Sequence, residues 1–272
     1  MFIMIIGIDI GSTTTKAVAI KNGVVVKTVR TRAYDAITSA TGALGKMLVE
    51  SNLSFDAVRE IIVTGAGSHF IKNKIFGIPT ERVDEIEAIG LGGMYLCKKD
   101  SVVIANIGTG TSIIEATKEK ITHLGGTGVG GGTIIGLSKE LVHSITFDHI
   151  LKLAQKGDLK QVDLLVEDIS ESGISFLDPK ATAANFGKML DTATKEDFAM
   201  GIVNMVFQVI GMISVFAAKS RNANHILVTG NGSRNLLGRQ VLENISKLYA
   251  IEFEFPDDAE YATAIGAALS KK

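Results

Sequence analysis

The sequence predicts an α/β protein built twice over: two lobes, each a mixed sheet flanked by helices, facing one another across a ligand cleft. Three observations carry this expectation. The run Ile5-Ile6-Gly7-Ile8-Asp9-Ile10-Gly11-Ser12-Thr13-Thr14-Thr15-Lys16-Ala17 is an apolar strand, a turn of glycine and hydroxyl residues beside one acid, and a second strand. The run Val103-Ile104-Ala105-Asn106-Ile107-Gly108-Thr109-Gly110-Thr111-Ser112-Ile113 repeats that order, with Asn106 where the first copy has Asp9. After each hairpin the pattern changes to alternating helix and strand. The expected lobes are residues 1–98 and 99–272, the last helix packing back toward the cleft.

The turns carry the chemistry. Glycine and hydroxyl residues let backbone N–H groups approach an anion closely, and a carboxylate at the same turn repels a bare phosphate but accepts one that carries Mg²⁺. A metal-bound nucleotide is therefore the ligand such a turn would take, although Asp-x-Gly-Ser-Thr between two strands is also ordinary hairpin chemistry. Two such turns facing each other can hold a triphosphate, which one cannot. A third stretch, Gly125-Gly126-Thr127-Gly128-Val129-Gly130-Gly131-Gly132-Thr133, precedes the apolar Ile134-Ile135-Gly136-Leu137 and reads as a loop feeding a helix N-terminus, a further anion site.

Composition limits what these loops can belong to. With 272 residues, 46% of them hydrophobic and 21% charged, the chain has material for two lobes around shared core. A formal net charge of -1 supplies no long-range attraction for nucleic acid or anionic lipid, so neither is expected as a partner. The single cysteine, Cys97, excludes an internal disulfide and a cysteine-based zinc site, and reads as a core residue. None of the five histidines is grouped at metal-ligand spacing, so the metal expected is the Mg²⁺ that arrives with ATP. The apolar start through Ile8 lacks a basic leader and meets Asp9 early, which suits a first strand and a cytoplasmic protein.

In chain order, Asn22-Gly23 is a hairpin turn that makes strands one to three antiparallel neighbours. Ile37, Leu44, Met47 and Leu48 mark a helix over residues 35–50, and Ile61 to Thr64 a strand ending at Gly65-Ala66-Gly67-Ser68, read as a strand-to-helix turn outside the site. A helix opens over Arg82 to Ala88 with acids in its first turn, where they complement the helix dipole. One of Asp84, Glu85 and Glu87 could serve as a general base, and the residues leave that choice open. Short strands follow at Ile114–Thr117 and Ile121–Leu124, then a helix near Thr133 to His143, with His143 and His149 at the surface. Residues 154–169 read as a polar connection and 170–178 as a loop ending at Pro179. Ile226 to Asn235 repeats the strand-to-glycine turn, suits a base- or ribose-binding edge at Gly230, Asn231 and Gly232, and launches a helix over 236–248. A last strand over 251–255 and a helix over 261–269 close the chain.

Phe198 to Ala218 is apolar for long enough to span a bilayer. Asn204 and Gln208 inside it would be costly in lipid, and a span would separate the first two glycine hairpins from everything after Ala218. A helix buried in the core and at a homodimer contact is expected instead, with Asn204 and Gln208 hydrogen-bonded across it or toward the acceptor cleft.

The paired hairpins resemble the phosphate loops of the actin-like ATPase and sugar-kinase superfamily, whose ribonuclease H-like fold is duplicated. Within it the chain resembles type II pantothenate kinases through Val83-Asp84-Glu85-Ile86-Glu87-Ala88, Asn106 to Ser112, Gly125 to Thr133 and Ala183-Ala184-Asn185-Phe186-Gly187. The resemblance implies Glu85 as catalytic acid, Asp9 as the acid linked to Mg²⁺, and Lys16 as the lysine of the first loop. It places the nucleotide against Gly11, Ser12, Thr13, Thr14, Thr109, Gly130, Gly131, Gly132, Thr133, Ile134, Ile135 and Phe147, with Gly230, Asn231 and Gly232. The acceptor side would be Thr109, Ser112, His123 and Asn185. Where that family has an arginine ahead of the third glycine loop, this chain has His123, so an acceptor carboxylate would lose a permanently charged bidentate partner. The implied activity is phosphorylation of the primary hydroxyl of pantothenate, with pantetheine as the alternative acceptor. The opening hairpin also resembles the ATPase activators of 2-hydroxyacyl-CoA dehydratases, which hold an iron–sulfur cluster with two cysteines per subunit, and one cysteine is too few for that.

Overall fold

Strands β1 (Met4–Ile10), β2 (Thr14–Lys21) and β3 (Val24–Arg32) form an antiparallel meander. The β2–β3 turn is closed by Asn22 and Gly23, both at positive φ, the conformation a two-residue hairpin needs to match strand twist. The computed structural model describes residues 4–170 and 178–271. Helix α1 (Ala36–Ser51) is capped by Asp35, whose carboxylate accepts the Thr38 N–H. It leads to β4 (Val58–Thr64), parallel to β1, then β5 (Lys74–Ile75) and β6 (Ile78–Arg82), giving a sheet ordered β3-β2-β1-β4-β6-β5. Helix α2 (Glu85–Cys97) follows, capped by Asp84.

The second half repeats this plan. A meander of β7 (Ser101–Ile107), β8 (Thr111–Thr117) and β9 (Ile121–Thr127) runs into α3 (Gly131–Leu141). An insertion of α4 (Phe147–Ala154), β10 (Leu164–Leu165), α5 (Val166–Ile169) and β11 (Thr182–Ala184) precedes α6 (Lys195–Ser220). Then come β12 (His225–Thr229), α7 (Leu236–Tyr249), β13 (Glu252–Glu254) and α8 (Ala262–Leu269). The sheet order β13-β12-β7-β8-β9 reproduces the first sheet, with β12 parallel to β7 as β4 is to β1.

Each sheet buries one face under its own helix. Ile6, Ile8 and Ile10 pack with Ala40, Leu44 and Met47 of α1, and Val103, Ala105 and Ile107 pack with Ile202, Val206, Phe207 and Ile210 of α6. The apolar 26-residue helix α6 is thus the core helix of the second half. On the inner faces the helices are exchanged. Ile89 of α2 packs with Ile104 and Ile114 of the second sheet, while Ala264, Ile265 and Ala268 of α8 pack with Val18 and Ile20 of the first.

Helices α2 and α8 touch backbone to backbone. A Cβ on Gly266 would sit 1.7 Å from the Ala88 carbonyl oxygen, and one on Gly92 1.8 Å from that of Ala262. Gly266→Ala is expected to destabilise the fold by about 1–3 kcal/mol or more, because the obstacle is backbone and cannot rotate away. Urea unfolding checks this, and an unchanged midpoint would mean the helices are not in this contact.

Several elements differ from the sequence expectation for local reasons. Arg82 ends β6 and does not open the helix, since Asp84 takes the cap. Gly125 to Thr127 extend β9, leaving 128–130 as the loop. Helix α6 begins at Lys195, before the apolar run, because Thr194 and Asp197 form a capping box. The connection over 154–169 holds the end of α4, β10 and α5. The loop expected over 170–178 falls largely outside the described residues.

Candidate active site

Ile6, Ile8 and Ile10 face α1, so strand alternation turns Asp9 to the opposite face, toward α8 and α2. Lys16 is its partner in register on β2, and the two buried side chains approach to 3.5 Å (Nζ to Oδ2). Burial pushes the Asp9 carboxyl up, and the Lys16 charge opposes it. On the other side, in register with Asp9, stands Thr64, followed by Gly65 at φ +83°. A Cβ there would lie 2.6 Å from Asp9 Oδ1, so both the backbone angle and the approach require glycine.

The second half builds the same corner. Asn106 is in register with Thr229, whose hydroxyl donates to Asn106 Oδ1 at 3.0 Å. Gly230 follows at φ +80°, with a Cβ position 2.9 Å from Asn106 Oδ1. Thr64-Gly65-Ala66-Gly67-Ser68 and Thr229-Gly230-Asn231-Gly232-Ser233 are therefore two copies of one turn. Sequence reasoning placed only the second in the site, although the shared Thr-Gly-x-Gly-Ser pattern is visible in the chain.

The two halves meet at these turns. Ser12 Oγ and Thr109 Oγ1, at the tips of the two hairpins, are 2.7 Å apart. Asn231 Nδ2 donates to Thr14 Oγ1 at 2.9 Å, while its Oδ1 is buried without a partner among the described residues. Farther out, Arg30 of β3 and Arg234, beyond the second turn, both pair with Glu260.

Glu85 opens α2 beside this junction. Its carboxyl lies above the ordinary glutamate value because the surrounding walls strip it of solvent, with Asp9 and then Asp84 adding to the rise and Lys16 opposing it. The residue as a whole is nonetheless exposed. Of the three acids at this end, Asp84 is committed to capping, accepting the N–H groups of Ile86 and Glu87. Glu85 is the one coupled to Asp9.

The third glycine loop lies on the second hairpin. Gly131 N–H donates to the Gly108 carbonyl and Gly132 N–H to that of Thr109, both at 2.9 Å, so these two amides have internal partners. Gly130 N–H donates to Thr133 Oγ1 at 3.1 Å. Gly128 faces open space. Ile134 is buried and Ile135 half-buried behind the loop. Ser112 is opposite Asn106, and His123 is opposite Ile114 on the face covered by α2, where it is exposed.

The structure thus gathers Asp9, Gly11, Ser12, Thr13, Thr14 and Lys16 with Glu85 on one side, and Thr109, Gly230, Asn231, Gly232 and the Gly130–Thr133 loop on the other. Two candidates stand apart. Phe147 starts α4 and packs against the second core. Asn185 belongs to a polar cluster with Asn204 and Gln208 of α6.

Two copies of a strand–turn–strand corner, facing each other with their tips in contact, define a protein of the actin-like ATPase and sugar-kinase fold. Solved structures agree in fold: an activator of 2-hydroxyisocaproyl-CoA dehydratase from Clostridium difficile, with bound ADPNP, matches with TM-score 0.69 at 18% identity over 98% of this chain and 93% of that one. A glucokinase from Streptomyces griseus, in complex with glucose and AMPPNP, matches with TM-score 0.65 at 12% identity over 98% of each chain. The Fumble family model matches residues 101–269. A type II pantothenate kinase of Bacillus cereus is 32% identical over 79% of this chain and 82% of its own, and one from Bacillus anthracis 30% identical over 97% and 96%. The chain belongs to the type II pantothenate kinase family.

Proposed function

We propose that this protein is an ATP-dependent kinase that phosphorylates the primary hydroxyl of pantothenate to 4′-phosphopantothenate, the first step of coenzyme A biosynthesis. The observation that carries the chemistry is Glu85, held with a raised pKa next to the Asp9–Lys16 pair where the two hairpin tips meet. Family membership supports the acceptor.

The residues suit a magnesium-bound triphosphate. The exposed tip residues Ser12, Thr13 and Thr109 offer hydroxyls and amides to phosphate oxygens, and the partnerless Asn231 Oδ1 would take a hydroxyl donor such as a ribose. Asp9 would hold Mg²⁺, which spreads the phosphate charge, with its remaining ligands from phosphate and water: among the described residues no group of three acids, histidines or cysteines is placed for a metal. Lys16 keeps Asp9 in place. Glu85 accepts the proton of the acceptor hydroxyl as that oxygen bonds to the γ-phosphorus and the bond to the leaving ADP oxygen breaks in line. Residues 1–98 and 99–272 act as the two lobes that close on these substrates in the cytoplasm.

A panel of pantothenate, pantetheine and N-acetylglucosamine with ATP, with products identified by mass, tests the assignment. Phosphopantothenate as the main product is expected, and phosphorylation of N-acetylglucosamine alone would overturn it. His123 is read at the carboxylate end of the acceptor. His123→Arg should then raise the preference for pantothenate over neutral pantetheine by about tenfold, the worth of a charged bidentate hydrogen bond. An unchanged ratio removes His123 from the site.

The protein is also read as a homodimer through α6. Met205, Val209 and Met212 are half-buried and Phe216 is exposed, an apolar stripe at helical spacing that a second copy would cover. Sedimentation without detergent should find a dimer, and Phe216→Glu should shift it toward monomer. A monomer for the unaltered protein contradicts this.

A further inference from the structure

We infer that Thr64 is a positioning residue for Asp9: its buried hydroxyl donates to Asp9 Oδ1 and holds that carboxylate toward Mg²⁺. This deepens the kinase reading and rests on Asp9 being the acid that takes the metal.

Three side chains stand abreast on the inner face of the first sheet. Lys16, Asp9 and Thr64 are partners in register across β2, β1 and β4, and in-register neighbours point to the same side. Lys16 Nζ approaches Asp9 Oδ2 at 3.5 Å and is the hydrogen-bond partner of this carboxylate among the described residues. Oδ1 lies on the β4 side, 2.6 Å from the Cβ position of Gly65, the residue after Thr64. Thr64 is fully buried, and its hydroxyl has no partner among the described residues. Burying an unbonded hydroxyl is costly, and a valine of the same shape would fill the place without that cost.

The second half shows what the hydroxyl is placed to do. Ser112, Asn106 and Thr229 stand in the same register across β8, β7 and β12. There the Thr229 hydroxyl donates to Asn106 Oδ1 at 3.0 Å, and the Cβ position of Gly230 is 2.9 Å from the same oxygen. Thr64 and Gly65 reach Asp9 Oδ1 from the equivalent strand and turn, so a change of the Thr64 rotamer makes the same bond to Asp9. The two bonds differ in worth. Asn106 is neutral, whereas a hydrogen bond to an ionised carboxylate is about twice as strong. A carboxylate that holds a metal is itself oriented by hydrogen-bond donors. Lys16 is a poor donor for that purpose, because its charge and that of Mg²⁺ repel each other across Asp9. The neutral hydroxyl of Thr64 holds Asp9 without opposing the metal.

The test is calorimetric binding of a nonhydrolysable ATP analogue, once with Mg²⁺ and once with a chelator. Thr64→Val keeps the shape of the side chain and removes the hydroxyl. It should bind the magnesium-loaded analogue about tenfold more weakly than the unaltered protein, the lower end of what losing an orienting partner costs a metal site. With the chelator the two proteins should bind alike. Thr64→Ser, which keeps the hydroxyl on a smaller side chain, should restore magnesium-dependent binding. Thr229→Val, the same change at the corner built on Asn106, should shift both conditions equally. In turnover Thr64→Val should raise the magnesium concentration for half-maximal rate with kcat at saturating magnesium nearly kept, which general loosening of the fold would not do. The inference is overturned if Thr64→Val binds the magnesium-loaded analogue as the unaltered protein does, if it loses affinity equally with the chelator, if Thr64→Ser fails to restore binding, or if Thr229→Val shows the same magnesium-specific loss. An unaltered protein that binds the analogue equally in both conditions would overturn the magnesium role of Asp9, and the inference with it. The expected binding pattern without formation of phosphopantothenate would overturn the kinase reading alone.

Discussion

Glu85→Gln lowers turnover by about 10²- to 10⁴-fold while ATP affinity stays within a few-fold, because the amide keeps the shape of the side chain and loses its capacity to take a proton. The pH profile gives a second reading. Burial, Asp9 and Asp84 hold the Glu85 carboxyl above the ordinary glutamate value, so a base at this position would be protonated and inactive over a wider acidic range than a free glutamate. Turnover should fall toward acid with an apparent pKa above about 4.3, the unperturbed glutamate value. In the Glu85→Gln variant that limb should be missing from the residual rate. Full activity in the variant, or an unchanged acid limb, would assign the base elsewhere.

Asp9→Asn should damage both the fold and the reaction, and a second substitution separates the two. Lys16 is buried beside Asp9, so removing the acid leaves an ammonium without its counter-charge, at a cost of about 3–5 kcal/mol. Burial strips both members of hydration that their mutual attraction has to repay, so replacing both by neutral groups should cost far less than replacing one. Asp9→Asn combined with Lys16→Met should recover most of the urea stability and none of the turnover or its magnesium dependence. Recovery of activity along with stability would show that Asp9 serves only to neutralise Lys16.

Much of this corner was legible in the chain. The meander β1–β3 announces itself through Asn22-Gly23 between β-rich runs and through an apolar first strand broken only at Asp9, and the second hairpin repeats its order closely enough to show the duplication. The exchange of α2 and α8 between the sheets was not legible. It depends on backbone contact at Gly92 and Gly266, and small residues at helical spacing do not say which helix they meet. The pairing of the Gly65 and Gly230 turns was written in the chain but carried no weight until registers with Asp9 and Asn106 set the two side by side. The internal bonding of Gly131 and Gly132 was also hidden, since a glycine run reads alike whether its amides face an anion or a neighbouring carbonyl. Asp163 lay in a stretch read as a polar connection, because nothing local marks an acid whose partners come from 19 to 41 residues away.

The most direct test of the central claim is release of ADP with and without pantothenate under saturating magnesium and ATP. A kinase that places Glu85 over an acceptor hydroxyl should release ADP slowly alone and much faster with pantothenate, one ADP per phosphopantothenate formed. ADP release that pantothenate does not accelerate, and that proceeds without a phosphorylated product, would contradict the account and leave an ATP-driven switch on the same fold.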